Sequence, residues 1–156
     1  MSHVRLRARL ALAVLTAFAC AAPLAANAQQ SPPAGPTLYQ RLGGYDALAA
    51  VTDDFIGRLV ADPKLKRFFG GVSDNSKARI RQLVLDQLCA ATGGPCVYIG
   101  RDMRASHKGL GITEDDWQAA VAGLGQTLVK FKVGAAEQRD LAAALGTIKP
   151  DIVNVK

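Results

Sequence analysis

IRQLVLDQLCAATGGPCVYIGRDMRASH, residues 80–107, is the stretch that decides the fold. Ile80, Leu83, Val84, Gln87 and Leu88 fall at i, i+3, i+4, i+7 and i+8, one face of a helix. Gly93-Gly94-Pro95 stops that helix. Cys96-Val97-Tyr98-Ile99 has strand-like composition, but a single short run has no partner and predicts an extended loop. Met103 and His107 are four apart and share a face of a short helix, which Gly109 and Gly111 end. The pattern predicts an all-α chain with short connections.

The flanking sequence agrees. Leu48, Val51, Phe55 and Leu59 recur at helical spacing until Asp62-Pro63. A short piece follows through Leu65, Phe68 and Phe69. Gly70-Gly71 then breaks the chain, and 72–77 predicts a polar loop. Downstream, Thr113 with Glu114, Asp115 and Asp116 predicts a helix start with acids in its first turn. Trp117, Ala120, Val121, Leu124, Leu128 and Phe131 make a long apolar stripe. Gly134 interrupts it. Leu141, Ala144, Leu145 and Ile148 predict a last helix stopped by Pro150.

The chain has 156 residues, and its start predicts a leader. Arg5, Arg7 and Arg9 precede an apolar run from Leu10 to Ala22, and Ala26-Asn27-Ala28 is a small-x-small cleavage pattern. Residues 1–28 are therefore expected to be a cleaved signal peptide and 29–36, QQSPPAGP, a Pro-rich linker. Residues 37–156 form the expected domain. The apolar run is short for a membrane anchor. A lipoprotein signal at Cys20 would call for a branched aliphatic residue where Ala17 stands. Localisation is expected to be exported, in the periplasm.

Charge excludes further classes. The full chain carries 19 basic and 13 acidic residues, and three of the basic ones lie in the leader. The remaining 16 against 13 leave +3, which gives no clustered basic footprint for nucleic acid. No stable membrane insertion of the mature chain is expected either. Cys89 and Cys96 lie seven apart across a Gly-Gly-Pro turn. In an oxidising compartment they can close a small loop, or they can be two separate buried thiols.

Most catalytic chemistry fails by absence. His3 belongs to the leader, which leaves His107 as the one histidine of the mature chain. No CxxC occurs, and no second histidine completes a zinc site with Cys89 and Cys96. Gly43-Gly44 lacks the G-x-G-x-x-G or Walker pattern. A lone histidine is most often an ordinary surface or capping residue. Here it stands on a short helix beside a large apolar surface, the setting in which one axial imidazole holds a haem iron.

At these residues the sequence resembles the group I truncated haemoglobins, the short two-over-two globins. The matching pieces are LYQRLGG at 38–44, DDFIGRLVADPKLKRFF at 53–69, GGPCVYIGRDM at 93–103 and His107-x-x-Leu110-x-Ile112. They cover about residues 37–155. The resemblance implies a truncated two-over-two globin fold around one haem b. It places His107 on the proximal iron ligand and Phe69 on a phenylalanine packed against the haem. It places Tyr98, Met103 and Ile112 on the proximal side, with Trp117 and Leu124 along the next helix. Phe55 matches a phenylalanine that many members follow with tyrosine, where this chain has Ile56.

Counting back from Gly93-Gly94 puts Ile80 and Val84 at the inward distal positions. The distal pocket is thus expected to be Ile56, Ile80, Val84 and Leu88. Loop 70–77 reads about three residues longer than in short members, so a register shift could bring Gln82 or Gln87 to the ligand. The implied function is binding of a diatomic gas (O₂, NO or CO) at an open iron position, with a possible redox partner. A haem enzyme oxidising NO or reducing peroxide, and a haem-free helical interaction domain, are the alternatives.

Overall fold

Caps set most helix boundaries in the computed structural model, which describes residues 35–155. The leader at 1–28 and the linker as far as residue 34 lie outside the described residues. Thr37 opens α1 (Leu38–Arg41) through a reciprocal capping box with Gln40. Gly43 and Gly44 then turn the chain at φ +94° and +78°, backbone that glycine adopts at little cost. The long helix α2 (Gly44–Ala61) follows and buries Leu48, Val51 and Thr52. It ends where Asp62 precedes Pro63, and the Asp62 carboxylate accepts from the Lys64 and Leu65 amides. Lys66–Phe69 is a 3-10 turn.

Helix α3 (Asp74–Ala91) corrects the expected polar loop at 72–77. The connection is only 70–73. Ser73 caps the helix by accepting from the Ser76 amide, and Asp74 lies in the positive first turn. That turn is solvent-exposed, so it carries no apolar signal. At the other end of α3 Gly93 has φ +80°, and the Gly94 amide donates to the Cys89 carbonyl at 2.8 Å. A Cβ on Gly94 would lie 2.6 Å from the Tyr39 ring and 2.7 Å from the Cys89 sulfur, so only glycine fits.

Residues 96–99 belong to no helix, and no strand forms among the described residues. Asp102 caps α4 (Met103–His107). Thr113 and Asp116 cap α5 (Glu114–Lys130) as a box. Helix α6 spans Ala135–Gly146 and α7 spans Lys149–Ile152. Pro150 was expected to stop a helix but stands in the first turn of α7. Its fixed φ and missing N–H suit that position.

The long helices pack around α2. Helix α2 packs on α3 and also on α5, while α1 reaches α6 and α4 lies on α7. Val51, Leu88, Leu124, Leu128 and Leu141 meet in one buried cluster that joins α2, α3, α5 and α6. This is an all-α, two-over-two arrangement. Asp54 ties α2 to α5 across the exposed side, accepting from Thr127 and Arg58 at 2.8 and 2.7 Å and from Lys130. Lys130 first, then Arg58 and Thr127, hold this carboxyl far below the usual carboxylate range. None of the described helices is long and apolar enough to cross a membrane.

A second cluster joins Leu48, Leu85 and Cys89, with Tyr39 and Cys96 packed against it. Cys89 and Cys96 are bonded as a disulfide, their Cα atoms 5.7 Å apart. The helix end and the Gly-Gly-Pro turn thus bring them well inside the roughly 7 Å limit for a bridge. Closing this eight-residue loop is worth about 2–3 kcal/mol in the chain-entropy account. Urea unfolding with and without a thiol reductant is expected to differ by that amount. Coincident curves would show that the bond contributes nothing.

Candidate functional site

One apolar cavity lies between the helices, with a volume of about 750 Å³. That is within the usual range for a cofactor site. Helix α2 contributes Phe55 and Ile56, and the 3-10 turn contributes Phe69. Helix α3 contributes Ile80, Val84 and Leu88. Tyr98, Met103, His107 and Ile112 line the opposite wall, with Trp117 and Leu124 from α5. The structure therefore brings all twelve expected site residues into one cavity.

The two glutamines separate. Gln87 lines the cavity beside Val84 and Leu88, and its amide has no partner among the described residues. Gln82 does not line it. It is exposed, and its amide donates to the Tyr45 hydroxyl at 3.0 Å and to Asp86 at 2.8 Å. The expectation that Gln82 could reach the ligand is therefore corrected. The physical cause is rotation: five residues at 100° each set Gln82 well off the face of Gln87.

His107 sits at the end of α4 and is half-buried. Its Nδ1 lies 2.8 Å from the Met103 carbonyl oxygen. A carbonyl only accepts, so Nδ1 carries the proton and donates. Nε2 is then the basic nitrogen, free to bind a metal. No cluster of three His, Cys, Asp or Glu side chains that could cage a metal forms among the described residues. One imidazole on an apolar cavity fits a metal that arrives inside an organic ring.

The polar groups of the cavity are few. Asp116 is buried on its wall but already engaged. It accepts from the Thr113 amide and hydroxyl, both at 2.9 Å, and from Arg67 at 2.7 Å. The Thr113 amide, and then Arg67, hold its carboxyl low against the opposing effect of burial. It is a fixed carboxylate and has no proton to give near neutral pH. Arg79 and Arg101 also line the cavity, and neither pairs with an acid among the described residues.

Several lining residues escaped the sequence reading. Phe68 lines the cavity beside Phe69, and Ile148 and Ile152 reach it from the chain's C-terminal end. The doubled phenylalanine was the available signal for the first. Ile148 gave only a core signal as the end of the last expected helix, and Ile152 lies beyond Pro150, which reads as a break.

A helical sandwich enclosing an apolar cavity with one metal-competent histidine defines a haem-binding globin. The bacterial-like globin family matches residues 37–154. The group 1 truncated haemoglobin of Synechocystis sp. is 35% identical over 124 residues, covering 76% of this chain and 98% of that protein. That of Mycolicibacterium paratuberculosis is 31% identical over 116 residues, covering 74% and 83%. Among solved structures, the truncated haemoglobin of Tetrahymena pyriformis in its Fe(III) form superposes with a TM-score of 0.71 at 27% identity. It covers 76% of this chain and 99% of that one. The chain belongs to the bacterial-like globin family and is a group I truncated, two-over-two globin that binds haem.

Proposed function

We propose that this globin is an exported gas-binding haem protein, with His107 as its single axial ligand and an aliphatic distal wall. Haem supplies the iron at which the diatomic gas binds. The observation that carries the assignment is the His107 Nδ1 contact to Met103, which leaves Nε2 for the metal. Most of the other lining side chains are aliphatic or aromatic, as the faces of a porphyrin require. Arg79 and Arg101 at the cavity supply cations for the two haem carboxylates.

On the distal side Ile56, Ile80, Val84 and Leu88 offer no hydrogen-bond donor. Such a wall discriminates little against CO or NO and holds O₂ weakly. It also disfavours peroxide chemistry, which gains from polar distal groups. The leader motif supports export, as does the Cys89–Cys96 bridge, since such bonds persist in oxidising compartments. A redox partner would return the oxidised iron to the ferrous state.

Absorption spectra test the proposal. The ferrous protein is expected to form a lasting CO complex and to turn ferric readily in air. A stable oxygenated spectrum that outlasts hours in air would contradict the apolar distal assignment.

A further inference from the structure

Helix α4 carries His107 but has only five residues. Helices this short do not hold themselves, and their last carbonyls have no partners within the helix. After it, Gly109 and Gly111 turn the chain at φ +80° and +67°, so the segment leading to Ile112 is not stiffened by its own side chains. Something outside must hold the imidazole at one height and angle.

That support comes from the far end of the chain. The Asn154 side-chain amide donates through Nδ2 to the His107 carbonyl at 2.8 Å, and its Oδ1 accepts from the Ile112 amide at 3.1 Å. The Asn154 and Val155 backbone amides both donate to the Ile112 carbonyl, at 3.1 and 3.2 Å. The His107 carbonyl uses its other lone pair for the Leu110 amide at 3.2 Å. One side chain thus closes both ends of the 107–112 turn. Its orientation is unambiguous: reversing the amide would set oxygen against the His107 carbonyl and nitrogen against the Ile112 N–H. Only a side chain of this length with one donor and one acceptor makes both bonds.

We propose that Asn154 is a positioning residue for the proximal ligand. By bridging the His107 carbonyl and the Ile112 amide, it sets the strength of the iron–imidazole bond. The proposal rests on His107 as the axial ligand. The outer Arg104–Asp151 pair joins α4 to α7 nearby but is solvent-exposed, where ion pairs contribute little. It serves as the control.

The test uses the haem-loaded full chain. Resonance Raman of the ferrous, ligand-free form reads the iron–histidine stretch, and transfer to apomyoglobin reads haem release. Asn154→Asp keeps the size and the acceptor but sets oxygen against the His107 carbonyl. Asn154→Ala removes both bonds. Both are expected to broaden the stretch, move it to lower frequency and speed haem release about tenfold. Asp151→Asn is expected to change neither. A wild-type stretch and release rate in both Asn154 variants, even with a lower melting temperature, overturns the proposal. Should Asn154→Ala not fold, Asn154→Asp decides alone. Absence of the band from the unaltered protein overturns the His107 assignment itself, and the Asn154 proposal falls with it.

Discussion

Replacing His107 with Ala is expected to weaken haem retention by about a hundredfold or more, since changing only the outer partners of a metal ligand already costs roughly ten- to a hundredfold. The expected result is a nearly colourless protein with an intact helical spectrum. Among the described residues no strong donor is placed to take over. Cys89 and Cys96 are consumed by their disulfide. The Tyr98 hydroxyl donates to the Arg101 carbonyl at 2.7 Å. Asp116 is held by Thr113 and Arg67. The Met103 thioether, one turn earlier on α4, remains among the described residues as a weak substitute. Added imidazole is expected to restore the Soret band by entering the space the side chain leaves. An unchanged spectrum in the His107→Ala protein would remove this residue from the iron.

The second large effect is expected on the opposite wall. O₂ held at a ferrous iron gains partial negative charge, so a nearby donor slows its escape, while the less polar CO gains little. A charge-assisted hydrogen bond contributes roughly 1.5–3 kcal/mol, about ten- to a hundredfold in release rate. Ile56 on α2 faces the cavity with Ile80 and Val84 and offers no such donor. Substituting Tyr at position 56 is therefore expected to slow O₂ release about tenfold or more, with CO release changed far less. Stopped-flow displacement of O₂ by CO gives both rates. Gln87 is the one uncommitted amide lining this cavity among the described residues. If wild-type release is already slow and Gln87→Leu accelerates it, the donor is Gln87 and the aliphatic assignment of the distal wall is wrong.

Local signals carried much of the fold. The stripe at Leu48, Val51, Phe55 and Leu59 marked α2 because burial imposes a 3.6-residue period on any helix against a core. Thr113 followed by three acids marked α5 because a hydroxyl cap and acidic first turn satisfy free amides. His107 stood out by scarcity alone. The twelve expected residues that line the cavity were named through the order and spacing of whole segments. Apart from His107, no single residue was informative, since a haem pocket and an ordinary core use the same aliphatic and aromatic types.

Tertiary structure decided what local patterns leave degenerate. The first turn of α3 is exposed, so burial wrote no period into residues 74–77, and only the Ser73 cap reveals where the helix begins. Pro150 is compatible with stopping one helix or opening another, and the packing of α7 on α4 selects the second. Gln82 and Gln87 lie on one helix, and which of them meets the cavity depends on how α3 is rotated against α2. The Tyr45 hydroxyl engages Gln82 on the outside. Cysteine spacing allowed a bridge, but the approach of a helix end to a turn made it. Asn154 is 47 positions from His107, and a polar residue near a chain end carries no mark of its partner. Sequence by itself determined most of the long helical segments and that one imidazole was available. Only the three-dimensional arrangement determined what holds that imidazole and which side chains face it, because those contacts join residues far apart along the chain.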